Sequence, residues 1–116
     1  MASSDEARLR QIRIKTGVVK RLTKEKLSYE KETEVQKQRV AKLKEEGGDE
    51  YVIKKQEEAL QETRMMIPNS ARMLNSAVDE LSRILDAEKD LSEQQLYKEA
   101  QTVIDDARKV LTEANA

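Results

Sequence analysis

The residues of this chain best suited to chemistry lie on one face of its first predicted helix. At about 100° per residue, five cations and one glycine project to the side opposite the apolar seam of this helix. These residues, which we call the basic stripe, are Arg10, Arg13, Gly17, Lys20, Arg21 and Lys24. Ion pairing with carboxylates is the chemistry that such a row supports, and a glycine lets another backbone approach closely.

The basic stripe allows two interpretations. Like charges one turn apart disfavour an isolated helix by about 0.2 to 0.5 kcal/mol per pair, and a glycine inside a helix costs about 1 kcal/mol relative to alanine. Neither feature improves the packing of a helical bundle. The first interpretation is an ordinary solvated face that tolerates its glycine, and the second is a docking surface for an acidic partner.

A second candidate surface surrounds Pro68, the only proline of the chain. Met65 is predicted to be exposed beside it, and methionine suits adaptable binding surfaces, although isolated exposed apolar residues are common. Tyr29 is expected level with Met65 on the first helix. A row of residues beside the main apolar seam of the second helix is predicted to belong to the core. These residues are Met66, Met73, Ala77 and Ile84.

Catalytic arrangements are absent from the sequence. The chain has no Cys and no His, which excludes thiol chemistry, disulfides, the usual zinc sites and the most versatile acid/base side chain. Adjacent carboxylates such as Glu57 and Glu58, or Asp105 and Asp106, are interpreted as solvated helix faces, and no glycine-rich phosphate loop is found. We therefore expect a protein that is not an enzyme and that needs no cofactor and no metal.

Nucleic acid and membranes are poor partners for this chain. It has a net charge of -1, three Tyr and neither Trp nor Phe, so it lacks the charge and the stacking residues of a nucleic-acid binder. The N-terminal residues lack the layout of a signal peptide, and no apolar run approaches the roughly 18 residues that span a bilayer. We expect a soluble, cytosolic protein.

The elements that position these residues are helices. Ala, Glu, Lys, Leu and Arg make up about half of the 116 residues, a share typical of long helices and coiled coils. Capping and breaking residues predict helices over about 5–46, 50–88 and 93–114. The signals are an N-cap at Ser4 or Asp5, a break at Gly47 and Gly48, an N-cap at Asp49, and a capping box from Ser92 to Gln95.

The second helix is predicted to continue through Pro68. A proline inside a helix costs about 3 kcal/mol, so a helix could end there. The apolar residues that recur every seven positions, however, pass the proline without a change of phase: Ile53, Leu60, Ile67, Leu74 and Leu81. We interpret this segment as one helix with a kink at Pro68.

The predicted fold is all-α, an elongated, coiled-coil-like, antiparallel up-down-up three-helix bundle that forms a single domain over residues 1–116. The short third helix implies three-helix packing at one end and a two-helix hairpin at the other, with Pro68 near the junction. On the first helix the apolar seam is dense before about residue 29 and dilute after it, because Lys26, Thr33 and Gln36 occupy seam positions. The two-helix half should be the weaker one.

The sequence resembles the tubulin-binding cofactor A family. The matching runs are RQIRIKTGVVKRLTKEK from Arg10 to Lys26, SYEKE from Ser28 to Glu32, IKKQEE from Ile53 to Glu58, ETRMMIP from Glu62 to Pro68, KDL at Lys89 to Leu91 and YKEA at Tyr97 to Ala100. Their order, spacing and total length make the resemblance specific. The segment from Val110 to Ala116 follows the family pattern only loosely, so no function is carried onto it.

The resemblance implies a chaperone that captures β-tubulin after its release from the chaperonin and passes it on towards assembly of the α/β heterodimer. It also implies a monomer or weak dimer in the cytoplasm, associated with the cytoskeleton, that meets other tubulin-folding cofactors only indirectly. A different function stays open on the residues alone. Seven-residue repeats and 39% charged residues also suit a structural scaffold or adaptor that self-associates through coiled coils.

Overall fold

The computed structural model describes residues 2–113, and side chains from Ser4 onward. It contains three α-helices, α1 (Ala2–Glu45), α2 (Glu50–Ala87) and α3 (Gln95–Glu113), with a 3-10 helix (Lys89–Leu91) between α2 and α3. No strand occurs in this described part of the chain, which confirms the all-α prediction. The predicted end of the third helix at Ala114 lies outside the described residues.

The turn between α1 and α2 is built by Gly47 and Gly48. The amide of Gly48 donates to the carbonyl of Leu43 at 2.8 Å, and the amide of Gly47 donates to that of Lys44 at 3.2 Å, which is the Schellman pattern. Gly47 has a φ of +73°, a left-handed conformation that side chains other than glycine adopt at a cost. The predicted break at these glycines is confirmed.

Asp49 caps the beginning of α2. Its Oδ1 accepts hydrogen bonds from the amides of Tyr51 at 2.7 Å and Val52 at 3.4 Å. These are two of the amides that have no partner within the helix. The N-cap predicted at Asp49 is therefore confirmed.

Two predicted N-caps are wrong. α1 already begins at Ala2, so Ser4 and Asp5 lie inside its first turns, where the carboxylate of Asp5 favours the positive end of the helix dipole. Ser92 has φ -59° and ψ -21°, and its amide donates to the carbonyl of Lys89, whereas an N-cap residue takes an extended conformation. Ser92 is the C-cap of the 3-10 helix instead, and α3 starts at Gln95.

Pro68 lies inside α2, which is one α-helix from Glu50 to Ala87. The prediction that the helix continues through the proline is thus confirmed. A kink at this position stays a prediction.

The chain divides into two compact units, which we describe separately. Unit 1 comprises Met1–Lys24 and Ala71–Ala116, with parts of all three helices, and unit 2 comprises Glu25–Ser70, with parts of two. The division agrees with the predicted change from three helices to two, and falls two residues after Pro68. The assignment of all residues to one domain stays a prediction.

Unit 1 has a continuous apolar core. Its buried residues are Ile12, Val19 and Leu22 of α1, Leu74, Val78, Leu81 and Leu85 of α2, Leu91, and Tyr97, Ala100, Val103, Ile104 and Ala107 of α3. Arg8 pairs with Glu88, the residue after the end of α2, and Lys15 pairs with Glu80 inside α2, so residue numbers rise along α1 as they fall from Glu88 into α2. This is the order that antiparallel helices produce.

Unit 2 has a mainly polar interior. Its buried residues are the apolar Val40 and Leu60 and the polar Lys26, Thr33, Gln36, Thr63 and Ser70. Lys26 is 1% exposed and its Nζ lies 3.2 Å from Oε2 of Glu30. Oε1 of Gln36 is buried and has no hydrogen-bond partner among the described residues. Apolar burial is the main favourable contribution to folding, and an unpaired buried polar atom opposes it. This composition confirms that the predicted seam is dilute beyond residue 29.

Candidate partner-binding surface

The basic stripe lies on the part of α1 that belongs to unit 1. All six of its residues are exposed, as predicted from the helical period. From Arg10 to Lys24 the stripe extends over about 21 Å at 1.5 Å per residue. A single unbroken helix therefore holds these cations at fixed spacing along one surface.

Most cations of the stripe take no part in holding unit 1 together. Arg10, Arg13, Lys20 and Lys24 make no ion pair or side-chain hydrogen bond with the residues that the structure describes. Other cations of the same helix segment behave differently, since Arg8 pairs with Glu88 and Lys15 lies 2.8 Å from Glu80. The charges of these four residues of the stripe are therefore available to an external anion.

Gly17 is not required by the packing of unit 1. A Cβ atom built at this position would meet no atom within 4 Å, whereas one at Gly48 would lie 3.0 Å from the carbonyl oxygen of Leu43. The backbone at Gly17 is helical, so no special conformation calls for glycine either. The structure thus leaves this glycine without an internal reason and places it in the open centre of the stripe.

Two open grooves border the stripe within unit 1. One of about 330 Å³ is lined by Arg10 and Arg13 together with Leu9 and Leu96. The other, of about 420 Å³, is lined by Lys20 of α1 and by residues of α3 that include Val103. Polar and charged side chains of both signs make up most of the lining of the two grooves, with a few apolar ones among them. Open surfaces of this kind suit a polypeptide better than a small molecule, which prefers an enclosed pocket.

The candidates around Pro68 belong to unit 2 and not to the unit of the stripe. Tyr29 is half-buried, Pro68 is exposed, and Met65 is 63% exposed, which confirms that Met65 points outward. Their role as partner contacts stays a proposal.

The prediction that Met66 and Met73 belong to the core is wrong. Their side chains are 38% and 49% exposed. Unit 2 contains parts of only two helices, so a residue that flanks the seam, such as Met66, has no third helix over it. Ala77 and Ile84, further along the same row of α2, do pack against the core of unit 1.

Resolved pKa shifts among the described residues occur away from the stripe. The guanidinium of Arg8 donates hydrogen bonds to Asp90 and Glu88, which raise the pKa of Arg8 above its usual value. The same hydrogen bond from Arg8 lowers the pKa of the Asp90 carboxyl. This cluster attaches the first turns of α1 to the 3-10 helix, which is a structural role.

The described residues include no group of three or more potential metal ligands. No helix in this described part of the chain is both long enough and apolar enough to cross a membrane. The surface of the described residues instead presents charged side chains and exposed apolar side chains on helices.

Sequence reasoning missed one residue of this surface, Ile14. Its side chain is 50% exposed, and it lies four residues after Arg10 and three before Gly17. The signal was present in the sequence, because the helical period places position 14 outside the apolar seam of α1, where isoleucine is not expected.

Comparison with known proteins settles the family. The family model for tubulin binding cofactor A matches residues 7–104. The chain belongs to this family. It is 54% identical over 103 residues to tubulin-specific chaperone A of Rattus norvegicus, a match that covers 89% of this chain and 95% of the rat protein. The family is one of non-enzymatic cofactors, which confirms the expectation that the chain is not an enzyme.

Solved structures of the family share the fold. The human tubulin chaperone cofactor A matches with a TM-score of 0.75 and 53% identity, covering 87% of this chain and 98% of that one. The crystal structure of tubulin folding cofactor A from Arabidopsis thaliana matches with a TM-score of 0.82 and 37% identity, covering 90% of this chain and 98% of that one. Both comparisons extend over unit 1 and unit 2.

Proposed function

We propose that the protein is a tubulin chaperone that binds β-tubulin and passes it on towards assembly of the α/β heterodimer. The observation that carries this proposal is the match to tubulin-specific chaperone A over 95% of the rat protein. The protein would act in the cytoplasm, in association with the cytoskeleton, and would meet other tubulin-folding cofactors only indirectly. Nucleic acid and membranes have no part in this function.

The physical features of unit 1 support a binding role. A chaperone cofactor needs a stable scaffold with surface groups that folding leaves unused, and the stripe supplies four cations without an internal partner among the described residues. Opposite charge on a partner would accelerate encounter and fix orientation. We place the first contact with tubulin on the basic stripe, with Tyr29, Met65 and Pro68 as a separate contact surface in unit 2.

Co-purification with tubulin tests the proposal. The chain is mixed with folding-competent β-tubulin and, separately, with α-tubulin, and the complexes are weighed by native mass spectrometry. We expect a stoichiometric complex with β-tubulin. Preferential binding to α-tubulin, or binding to neither, would contradict the proposal.

The alternative function is a structural scaffold that self-associates. The exposed apolar side chains of Leu27, Val35, Tyr51 and Val52 in unit 2 favour it, because a coiled-coil assembly would bury them. Sedimentation equilibrium separates the two functions. A monomer or weak dimer is expected of the chaperone, whereas a tight dimer or tetramer at nanomolar concentration would favour the scaffold.

A further inference from the structure

Ile14 is exposed on a helix whose other large apolar residues in unit 1 face the core. Its side chain is 50% exposed, and it does not belong to the core cluster or to the partly buried residues packed against that cluster. Burial of a large aliphatic side chain is favourable by about 1.5 to 3 kcal/mol, and an exposed one leaves that contribution unused. Folding of unit 1 therefore does not explain an isoleucine at this position.

The neighbours of Ile14 along the helix make a small apolar surface bordered by cations. Residues three, four and seven positions apart share a face of a helix, so Arg10, Gly17, Val18 and Arg21 surround Ile14. Val18 packs against the core and is only partly buried, and the space above Gly17 is open. The basic stripe thus contains an exposed apolar side chain, that of Ile14, next to the backbone of Gly17, which no side chain covers.

The spacing of the stripe indicates what shape of partner fits it. Arg10, Arg13, Gly17, Lys20 and Lys24 follow one another at intervals of three, four, three and four residues. This is the repeat along which one α-helix packs against another. α1 therefore carries a second, outward seam, in which cations replace the usual apolar residues and a glycine stands at the centre.

We propose that this outward seam binds an acidic helix of the partner, with an apolar side chain of that helix seated on Ile14 beside Gly17. Carboxylates of the helix pair with Arg10, Arg13, Lys20 and Lys24, whose charges have no anion among the described residues. The apolar contact fixes the register, because ion pairs alone tolerate a shift by one turn. This inference rests on the proposed function, since β-tubulin is the partner that would supply the helix.

Substitutions at Ile14 separate the apolar contact from general charge attraction. Ile14→Ala removes the contact, and Ile14→Lys removes it while adding a further cation to the stripe. Met73→Ala is the matched control, because Met73 is 49% exposed, belongs to unit 1 and lies on α2 rather than α1. Dissociation constants of the full-length variants for folding-competent β-tubulin are measured at two salt concentrations, with thermal unfolding followed in parallel.

We expect both Ile14 variants to bind about five- to tenfold more weakly than the wild type, as for an apolar contact near the centre of an interface. The Met73 variant should stay within about twofold, and wild-type binding should weaken as salt rises. Binding by Ile14→Lys as tight as the wild type would show that charge alone suffices, and would overturn the inference. Equal losses in the Ile14→Ala and Met73→Ala variants would also overturn it.

Failure of the proposed function and failure of this inference give different results. If the wild type does not bind β-tubulin, the proposed function fails and this inference fails with it. If the wild type binds and both Ile14 variants bind equally well, only the outward seam is refuted. Unfolding temperatures distinguish a binding defect from a folding defect, because Ile14 lies outside the core and its substitution should leave them nearly unchanged.

Discussion

Substitution of Gly17 by alanine should stabilise the protein and weaken its binding to tubulin. Glycine inside a helix is about 0.5 to 1 kcal/mol less favourable than alanine, because it loses more backbone freedom on folding. A Cβ at position 17 would meet no atom within 4 Å, so no clash offsets this gain. We therefore expect the free energy of unfolding to rise by about 0.5 to 1 kcal/mol, or Tm by about 2 to 6 °C.

Two assays on one preparation test this prediction. Thermal and urea unfolding, followed by circular dichroism, give the change in stability, and titration with β-tubulin gives the change in affinity. A partner helix that approaches the backbone at Gly17 would be displaced by the added methyl group, so affinity should fall. A gain in stability with unchanged affinity would make Gly17 a tolerated residue on a solvated face.

Gly47→Ala is the matched control. Gly47 also has open space around a built Cβ, but its φ is +73°, a conformation that costs an L-residue about 1 to 2 kcal/mol. The same chemical change should therefore lower stability at position 47 and raise it at position 17. A loss of stability in Gly17→Ala would refute the reasoning that open space and a helical backbone decide whether alanine stabilises or destabilises the protein.

The remaining predictions concern the stripe, the proline, the polar interior and the α1 ion pairs. Simultaneous replacement of Arg13, Lys20 and Lys24 by Glu should weaken β-tubulin binding and leave helicity and Tm nearly unchanged, because Arg13, Lys20 and Lys24 have no partner among the described residues; unchanged affinity would reduce the stripe to a solvated face. Pro68→Ala should stabilise the free protein by up to about 3 kcal/mol, since a backbone hydrogen bond becomes available, whereas a lower Tm would show that core packing requires the proline. Gln36→Leu should raise the stability of unit 2 by about 1 to 3 kcal/mol by removing a buried acceptor without a partner; slower amide exchange in residues 25–70 would show it, and faster exchange would contradict it. Asp90→Asn should lower Tm at neutral pH only, because the hydrogen bond from Arg8 depresses the pKa of Asp90. The stabilisation by the ion pair between Asp90 and Arg8 is therefore fully present above the ordinary pKa of about 3.9, and it is lost as pH falls through the depressed value. The difference in Tm between wild type and Asp90→Asn should thus disappear in strong acid, and a difference that persists there would argue against the ion pair as its cause.

Much of the fold could be predicted because its signals are local. The Gly47 and Gly48 break and the Asp49 cap each depend on hydrogen bonds between residues within about five positions of one another. The repeat of apolar residues through Pro68 outweighed the local penalty of the proline, and α2 is indeed one helix. The capping box at Ser92 failed because Ser92 instead ends the preceding 3-10 helix Lys89–Leu91, with its amide donating to the carbonyl of Lys89.

The candidate site could be predicted in part for the same reason. The exposure of the stripe follows from the helical period, and so does that of Met65. The period cannot decide whether a third helix covers the flank of the seam, and for that reason the prediction that Met66 belongs to the core is wrong. The exposure of Met73, which belongs to unit 1, has no such explanation. A pattern of charges does not by itself single out Ile14, an apolar residue between the cations.

The sequence by itself determined that this chain is helical and where the connection between α1 and α2 lies. It also determined which face of α1 carries the cations and to which family the chain belongs. These properties depend on short-range geometry and on the order of residues. Only the tertiary structure decided that Arg10, Arg13, Lys20 and Lys24 have no ion pair among the described residues while Arg8 and Lys15 do. It also decided that Gly17 has open space above it and that Ile14 is left outside the core. Each of these depends on atoms distant in sequence, and together they turn a row of charges into a specific binding hypothesis.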